Sequence, residues 1–223
     1  SVGDIFRNRD DEVFDPFRDL LEKAFAFQTL EWAEKEVQWC SEKGVEIICY
    51  GEKKYPQLLL ESSNAPNLLY YKGTADLNSP RSISMVGTRL ASAYGKEMCS
   101  AIISHMGKYR PLIVSGLAYG IDIACHKAAI GAGLETVAVL PNGIDSIYPA
   151  RHRDVAAAMV HNGGILTEFP RGTAPQRMNF IKRNRIIAAI SQGVVVVESR
   201  IKQETMNFNQ NIFILVEQFN NQK

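Results

Sequence analysis

The 223-residue chain is 46% apolar and 22% charged, a globular composition with length for one α/β domain and a smaller attachment. Its 25 Lys and Arg against 24 Asp and Glu leave a formal net charge of +1. That excludes a surface attracting polyanions everywhere, so any nucleic-acid site must be a local patch. No stretch approaches the ~18 consecutive apolar residues of a membrane span, and the opening SVGDIFRNRDDEVFD is too charged for a signal peptide.

In chain order, residues 16 to about 43 read as helix, with Leu20, Leu21, Ala24, Phe25 and Phe27 and then Trp32, Val37 and Trp39 spaced among charges, and a stop at Gly44. VEIICYG and NLLYYKG are short strand candidates, separated by Tyr55-Pro56 and Ala65-Pro66, where proline resists regular structure. Residues 1–50 are therefore expected to form an N-terminal helical segment with a short strand, and 51–223 the main domain. From residue 82, five apolar runs (SISMVG, PLIVSG, ETVAVL, GILTEF, GVVVVE) alternate with helix-like segments near 92–108, 120–132, 151–162 and 178–192. Regular strand–helix alternation predicts parallel pairing, and VVVV fits a strand buried on both faces. The predicted fold is α/β: a Rossmann-like doubly wound, mostly parallel sheet with a short N-terminal helical segment. Beyond residue 200 Asn and Gln crowd the chain; 199–210 barely suffices for a crossover, and 211–216 is a last candidate strand.

In such sheets ligands bind beyond the carboxyl ends of the strands, near where strand order reverses. Four runs end there in Gly87-Thr88-Arg89, Ser115-Gly116-Leu117-Ala118-Tyr119-Gly120, Pro141-Asn142-Gly143 and Pro170-Arg171-Gly172. Glycine lets backbone N–H groups approach a ligand, although tight turns without a ligand need it equally. Ser92 is a good N-cap for the helix after Arg89. Neither G-x-G-x-x-G nor a P-loop is present, so no nucleotide cofactor is expected. His105, His126, His152 and His161 lack metal-site spacing, so no metal is expected. Cys40, Cys49, Cys99 and Cys125 form no C-x-x-C pair and read as reduced thiols in a cytosol. No nucleophile–base pair stands out. Glu168 and Asp145 are the acids near the rim, and Asp122 fits a first helical turn, where the dipole favours anions.

The fourth loop leads into RMNFIKRNRIIAAI, and no acid interrupts residues 169–197. Arg171, Arg177, Lys182, Arg183 and Arg185 gather there although cations at a helix N-terminus oppose its dipole, which points to an acidic ligand. Phe180, three residues from both Arg177 and Arg183, is either a ring on which bases stack or a core residue.

YPQLLLESSNAPNLLYYKG, SMVGTRLASAYG, VSGLAYGIDIACHKAAI, TVAVLPNGIDSIYPARH, GGILTEFPRGTAP and FIKRNRIIAAISQGVVVVES together resemble the DNA-processing protein A family (DprA, also called Smf), over residues 55 to about 200. The resemblance implies a cytoplasmic bacterial protein that binds single-stranded DNA, protects incoming strands in natural transformation, loads the RecA recombinase and pairs as a homodimer, with no defined enzymatic reaction. It places the DNA site at Gly87 and Arg89, Gly116, Arg177, Phe180 and Arg183; proximity adds Lys182 and Arg185, and the cation of the fourth strand-end loop adds Arg171. A nucleotide-processing phosphoribohydrolase is the competing reading, echoed only in Gly163-Gly164 and Glu168.

Overall fold

In a computed structural model of the chain, the structure describes Glu22, residues 27–199 and residues 212–214. The chain divides into two compact units, Ser1–Gly44 and Val45–Lys223. Of the first, helix α1 (Phe27–Lys43) is described; the rest of the helix expected from residue 16 lies almost wholly outside the described residues. A Glu31–Lys35 ion pair one turn apart (2.6 Å) supports it, and Gly44, at φ 62°, ends it in a conformation that favours glycine.

The second unit is built on one sheet. Strands β1 (Glu46–Cys49) and β2 (Leu68–Gly73), with the short helix α2 (Gln57–Leu60) between them, precede β3 (Ser82–Gly87), α3 (Ala93–Met106), β4 (Leu112–Ser115), α4 (Ile121–Gly131) and β5 (Thr136–Val139). Then follow α5 (Arg153–His161), β6 (Gly163–Thr167), α6 (Arg177–Ala189), β7 (Gly193–Glu198) and β8 (Ile212–Ile214). The strand order is β1-β2-β6-β5-β4-β3-β7-β8. Strands β3 to β8 pair in parallel, whereas β1 and β2 run antiparallel at one edge. The first strand thus belongs to the sheet and not to the amino-terminal segment with which the sequence grouped it. Residues 212–214, inside the last candidate strand, pair with Val194–Val196; the expected crossover over 199–210 lies almost wholly outside the described residues.

Alternation along the strands shows how both faces are covered. Met85 and Ile113 join Cys99, Ile103, Ile121 and Cys125 of α3 and α4 in one core. Their neighbours Val86, Leu112 and Val114 turn the other way, onto Ile186 and Ile187 of α6 and Ile190 just after it. The chain fills β3 to β6 in one direction and then returns across the opposite face to place β7 on the far side of β3. Strand order reverses at β3, and the loops leaving its neighbours' carboxyl ends diverge around one crevice. All four cysteines are free, Cys99 and Cys125 lying 3.3 Å apart between α3 and α4. Among the described residues no helix is long and apolar enough to cross a membrane.

Candidate nucleic-acid interface

The crevice is held in shape by bonds between its loops. Ser92 caps α3 as expected, its hydroxyl accepting the Gly95 N–H at 2.9 Å. Glu198, the acid that ends the acid-free run, accepts the Ser92 N–H at 3.0 Å and the Ser92 hydroxyl at 3.1 Å. An anion there also complements the α3 dipole. Thr88 is fixed on both sides: its N–H donates to the Glu198 carbonyl at 2.7 Å, and its own carbonyl accepts the Ile121 N–H at 3.1 Å. Gly87 must be glycine because a β-carbon would stand 2.6 Å from Ile121 Cγ1 and 2.7 Å from the Glu198 carbonyl oxygen.

Under the second loop lies Arg183, only 3% exposed. Its Nη1 donates to the Gly116 carbonyl at 2.7 Å and to the Val139 carbonyl, so it joins the β4 and β5 loops to α6. Burial pulls its pKa down to about 10, helped by Arg89 and opposed by Asp122. Asp122 is buried, and that burial raises its pKa against the pull of Arg183 and of the Ala118 N–H, 3.3 Å away. Beside them His126 Nδ1 meets Thr136 Oγ1 at 2.7 Å. The Thr136 hydroxyl donates to the Ile113 carbonyl at 2.9 Å, which makes His126 Nδ1 the donor and leaves Nε2 buried without a partner. Burial, then Arg183 and His152, push the His126 pKa down to about 3. His152 Nδ1–H donates at 2.7 Å to the carbonyl of Leu117, which sits at φ 59°. A buried polar layer therefore fixes the loop from below.

Above it the ring of Phe180 is half-buried, with Arg89 Cζ at 4.8 Å and Arg183 Cζ at 5.9 Å from its centroid. The Tyr148 ring meets it edge-on, centroids 5.8 Å apart at 74°. Val86, Gly87, Arg89, Phe180, Arg183 and Asn184 line a small hollow of about 90 Å³ there. Phe180 is thus neither a fully buried core residue nor a free ring: it packs against Tyr148 and lines the hollow.

The structure brings together Gly87, Arg89, Gly116, Phe180 and Arg183. It sets Arg183 in the floor, committed to two carbonyls. Arg177 is exposed one turn before Phe180, and Arg171 is half-buried in the β6–α6 loop beside Gly143. At 3.6 residues per turn Lys182 lies about 200° from Phe180 round α6 and Arg185 about 140°. Lys182 is exposed on that other side, and Arg185 is engaged in an ion pair with Glu168, so proximity in sequence did not carry either cation to the hollow. Tyr148, Asp122, His126, His152 and Glu198 were not read as parts of the site. The Tyr-Pro step at the end of the β5 loop was a usable signal for Tyr148; the buried partners depend on which strands become neighbours.

A mostly parallel doubly wound sheet with a cationic, ring-lined hollow at its switch point defines a Rossmann-like protein. The DNA recombination-mediator protein A family model matches residues 46–220, starting before residue 55 and running well past the expected limit near 200. The chain belongs to that family. It is 37% identical over 166 residues to the DNA processing protein DprA of Bacillus subtilis (74% of this chain, 56% of that protein). It is 34% identical over 174 residues to the Smf protein of Escherichia coli (78% and 46%). The chain spans about half the length of the curated relatives it matches. Two solved structures are similar: DprA of Streptococcus pneumoniae (TM-score 0.73, 31% identity, 79% of this chain and 64% of that one) and DprA of Helicobacter pylori, described for its single-stranded DNA binding mode (TM-score 0.70, 26%, 79% and 82%).

Proposed function

We propose that the chain binds single-stranded DNA in the hollow at the carboxyl ends of β3 and β4. The observation that carries this is the half-buried Phe180 ring with the Arg89 guanidinium 4.8 Å from its centroid, at the rim where the fold takes ligands. An aromatic ring stacks any base while guanidinium groups hold phosphates. Arg89 and Arg177 are the phosphate contacts and Arg171 a further one on the neighbouring loop. Gly87 and Gly116 let the loop backbones come close, and Arg183 positions them from beneath. A binding role is supported by the engagement of the two acids near the rim: Glu168 is paired with Arg185, and Asp145 accepts the Gly172 N–H at 3.0 Å. The Helicobacter pylori relative, described for its single-stranded DNA binding mode, supports the ligand class. Family membership supports the wider role: protection of incoming strands, loading of the RecA recombinase, and action as a homodimer in the bacterial cytoplasm.

Fluorescence anisotropy with labelled oligo-dT tests the ligand and the site together. Log affinity is expected to fall with log salt at a slope of roughly −0.7 per neutralised phosphate, and Arg89→Glu/Arg177→Glu to abolish binding. Equal affinity for duplex, or no response to the charge reversal, would sink the reading.

A further inference from the structure

A second cationic surface adjoins the hollow and shares only Arg89 with the site residues described above. Between α3 and α4 runs a groove of about 840 Å³, lined by Arg89, Lys96, Lys127 and Tyr119, with Ala124 and Ala128 among its small residues. The helical repeat explains its shape. Ala124, Lys127 and Ala128 lie at i, i+3 and i+4 on one stripe of α4, so small residues keep the trough open and a cation stands at its side. Lys96 stands on α3, toward its N-terminal end.

Three cations line this groove and no carboxylate does. The adjacent acids are directed elsewhere: Asp122 is buried, Glu198 is bonded to Ser92, and Glu97 is not part of the lining. Among the described residues neither Lys96 nor Lys127 forms an ion pair. Tyr119 is 45% exposed, and its ring meets that of His152 at 72° with centroids 5.1 Å apart. The side chain is therefore seated against His152 while the residue stays open to solvent. Arg89 belongs to both surfaces, lining the groove and standing over Phe180.

We infer that the groove is the continuation of the DNA path: a single strand leaving Phe180 passes over Arg89 and runs between α3 and α4. Lys96 and Lys127 neutralise two phosphates there, and Tyr119 stacks a base. A cationic trough with an exposed ring is the arrangement that follows a single strand without reading its sequence. The inference rests on the proposed function and extends it to strands longer than the hollow itself holds.

Anisotropy with oligo-dT of about 4 and about 16 nucleotides, the range of single-strand site sizes, separates the two claims. Lys96→Glu/Lys127→Glu is expected to weaken the longer oligonucleotide about tenfold or more and to flatten its salt slope by about 1.4, two contacts at ~0.7 each. The shorter one, held in the hollow, keeps its affinity. Lys96→Gln/Lys127→Gln flattens the slope equally, and Tyr119→Ala weakens the longer oligonucleotide roughly fivefold or more without changing the slope. Both lysine pairs are expected to melt as wild type. Longer-strand binding indifferent to both lysines, yet lost in Arg89→Glu/Arg177→Glu, overturns the groove and leaves the hollow standing. Equal weakening of both lengths overturns the groove as well, as does duplex binding with the same lysine dependence. Wild-type protein that binds neither length overturns the function and the inference together.

Discussion

The Arg183 guanidinium lies directly against the backbone of Gly116: Nη1 donates to the Gly116 carbonyl at 2.7 Å, and a β-carbon at residue 116 would overlap the guanidinium group. The glycine is required by a buried charge rather than by an unusual φ. Because Arg183 is also bonded to the Val139 carbonyl, it cannot withdraw freely. Gly116→Ala is expected to cost about 1–3 kcal/mol, as overpacking does, and to weaken oligo-dT binding by shifting the loop. Urea unfolding and anisotropy on the same sample check both.

Arg183 itself is expected to act through the fold. Arg183→Met leaves the buried Gly116 and Val139 carbonyls without their donor and Asp122 without the positive charge near it, and a buried polar group left unmatched costs about 1–3 kcal/mol. Asp122→Asn on top of it should recover part of that loss, a coupling that urea unfolding of the single and double variants measures. A surface phosphate ligand would give no such rescue.

The buried polar layer makes stability depend on pH. Burial lowers the His126 pKa to about 3 from its ordinary 6.5, so on acidification the unfolded chain takes up the proton first. Its contribution is complete above pH 6.5 and is lost as pH falls toward 3, by up to about 1.4 kcal/mol per pH unit. Asp122 acts with the opposite sign, because its raised pKa adds stability as pH falls. Urea unfolding at neutral and mildly acidic pH isolates the histidine: the wild type should lose stability relative to His126→Gln, about 2 kcal/mol by pH ~5.

Ring and cations should separate in the salt dependence. Phe180→Ala is expected to cost about 1–3 kcal/mol of single-strand affinity with an unchanged salt slope. Arg177→Gln should flatten the slope by about 0.7, while Lys182→Gln, on the far side of α6, should not. A titration of each variant over a salt series decides whether the helix face or the charge count governs binding.

The architecture was legible because its signals are local and periodic. Short β-branched runs marked β3 to β7, and Ser92 announced α3. That Gly87, Arg89, Gly116 and Phe180 gather at one rim of the sheet was legible because they follow strand ends or stand among cations. What was not legible depends on neighbours far apart in sequence. Nothing near Arg183 says that the carbonyls of Gly116 and Val139 will lie over it, and nothing near Glu198 says that it will reach Ser92. Lys182 and Arg185 were grouped with the site by counting charges along the chain, where the helix sorts them by angle. The edge strand β1 was assigned to the wrong unit because its partner, β2, comes after an intervening helix and two prolines.

The bonds that tie Thr88 to Ile121 and Glu198 to Ser92 have a kinetic consequence. They span the loops on either side of the reversal, so those loops are ordered during folding and need little rearrangement when a ligand arrives. Association with so stiff a receptor loses little loop entropy at the moment of encounter. Capture should then be limited by diffusion and by electrostatic guidance rather than by a closing motion, with differences between variants expressed in how long the complex survives.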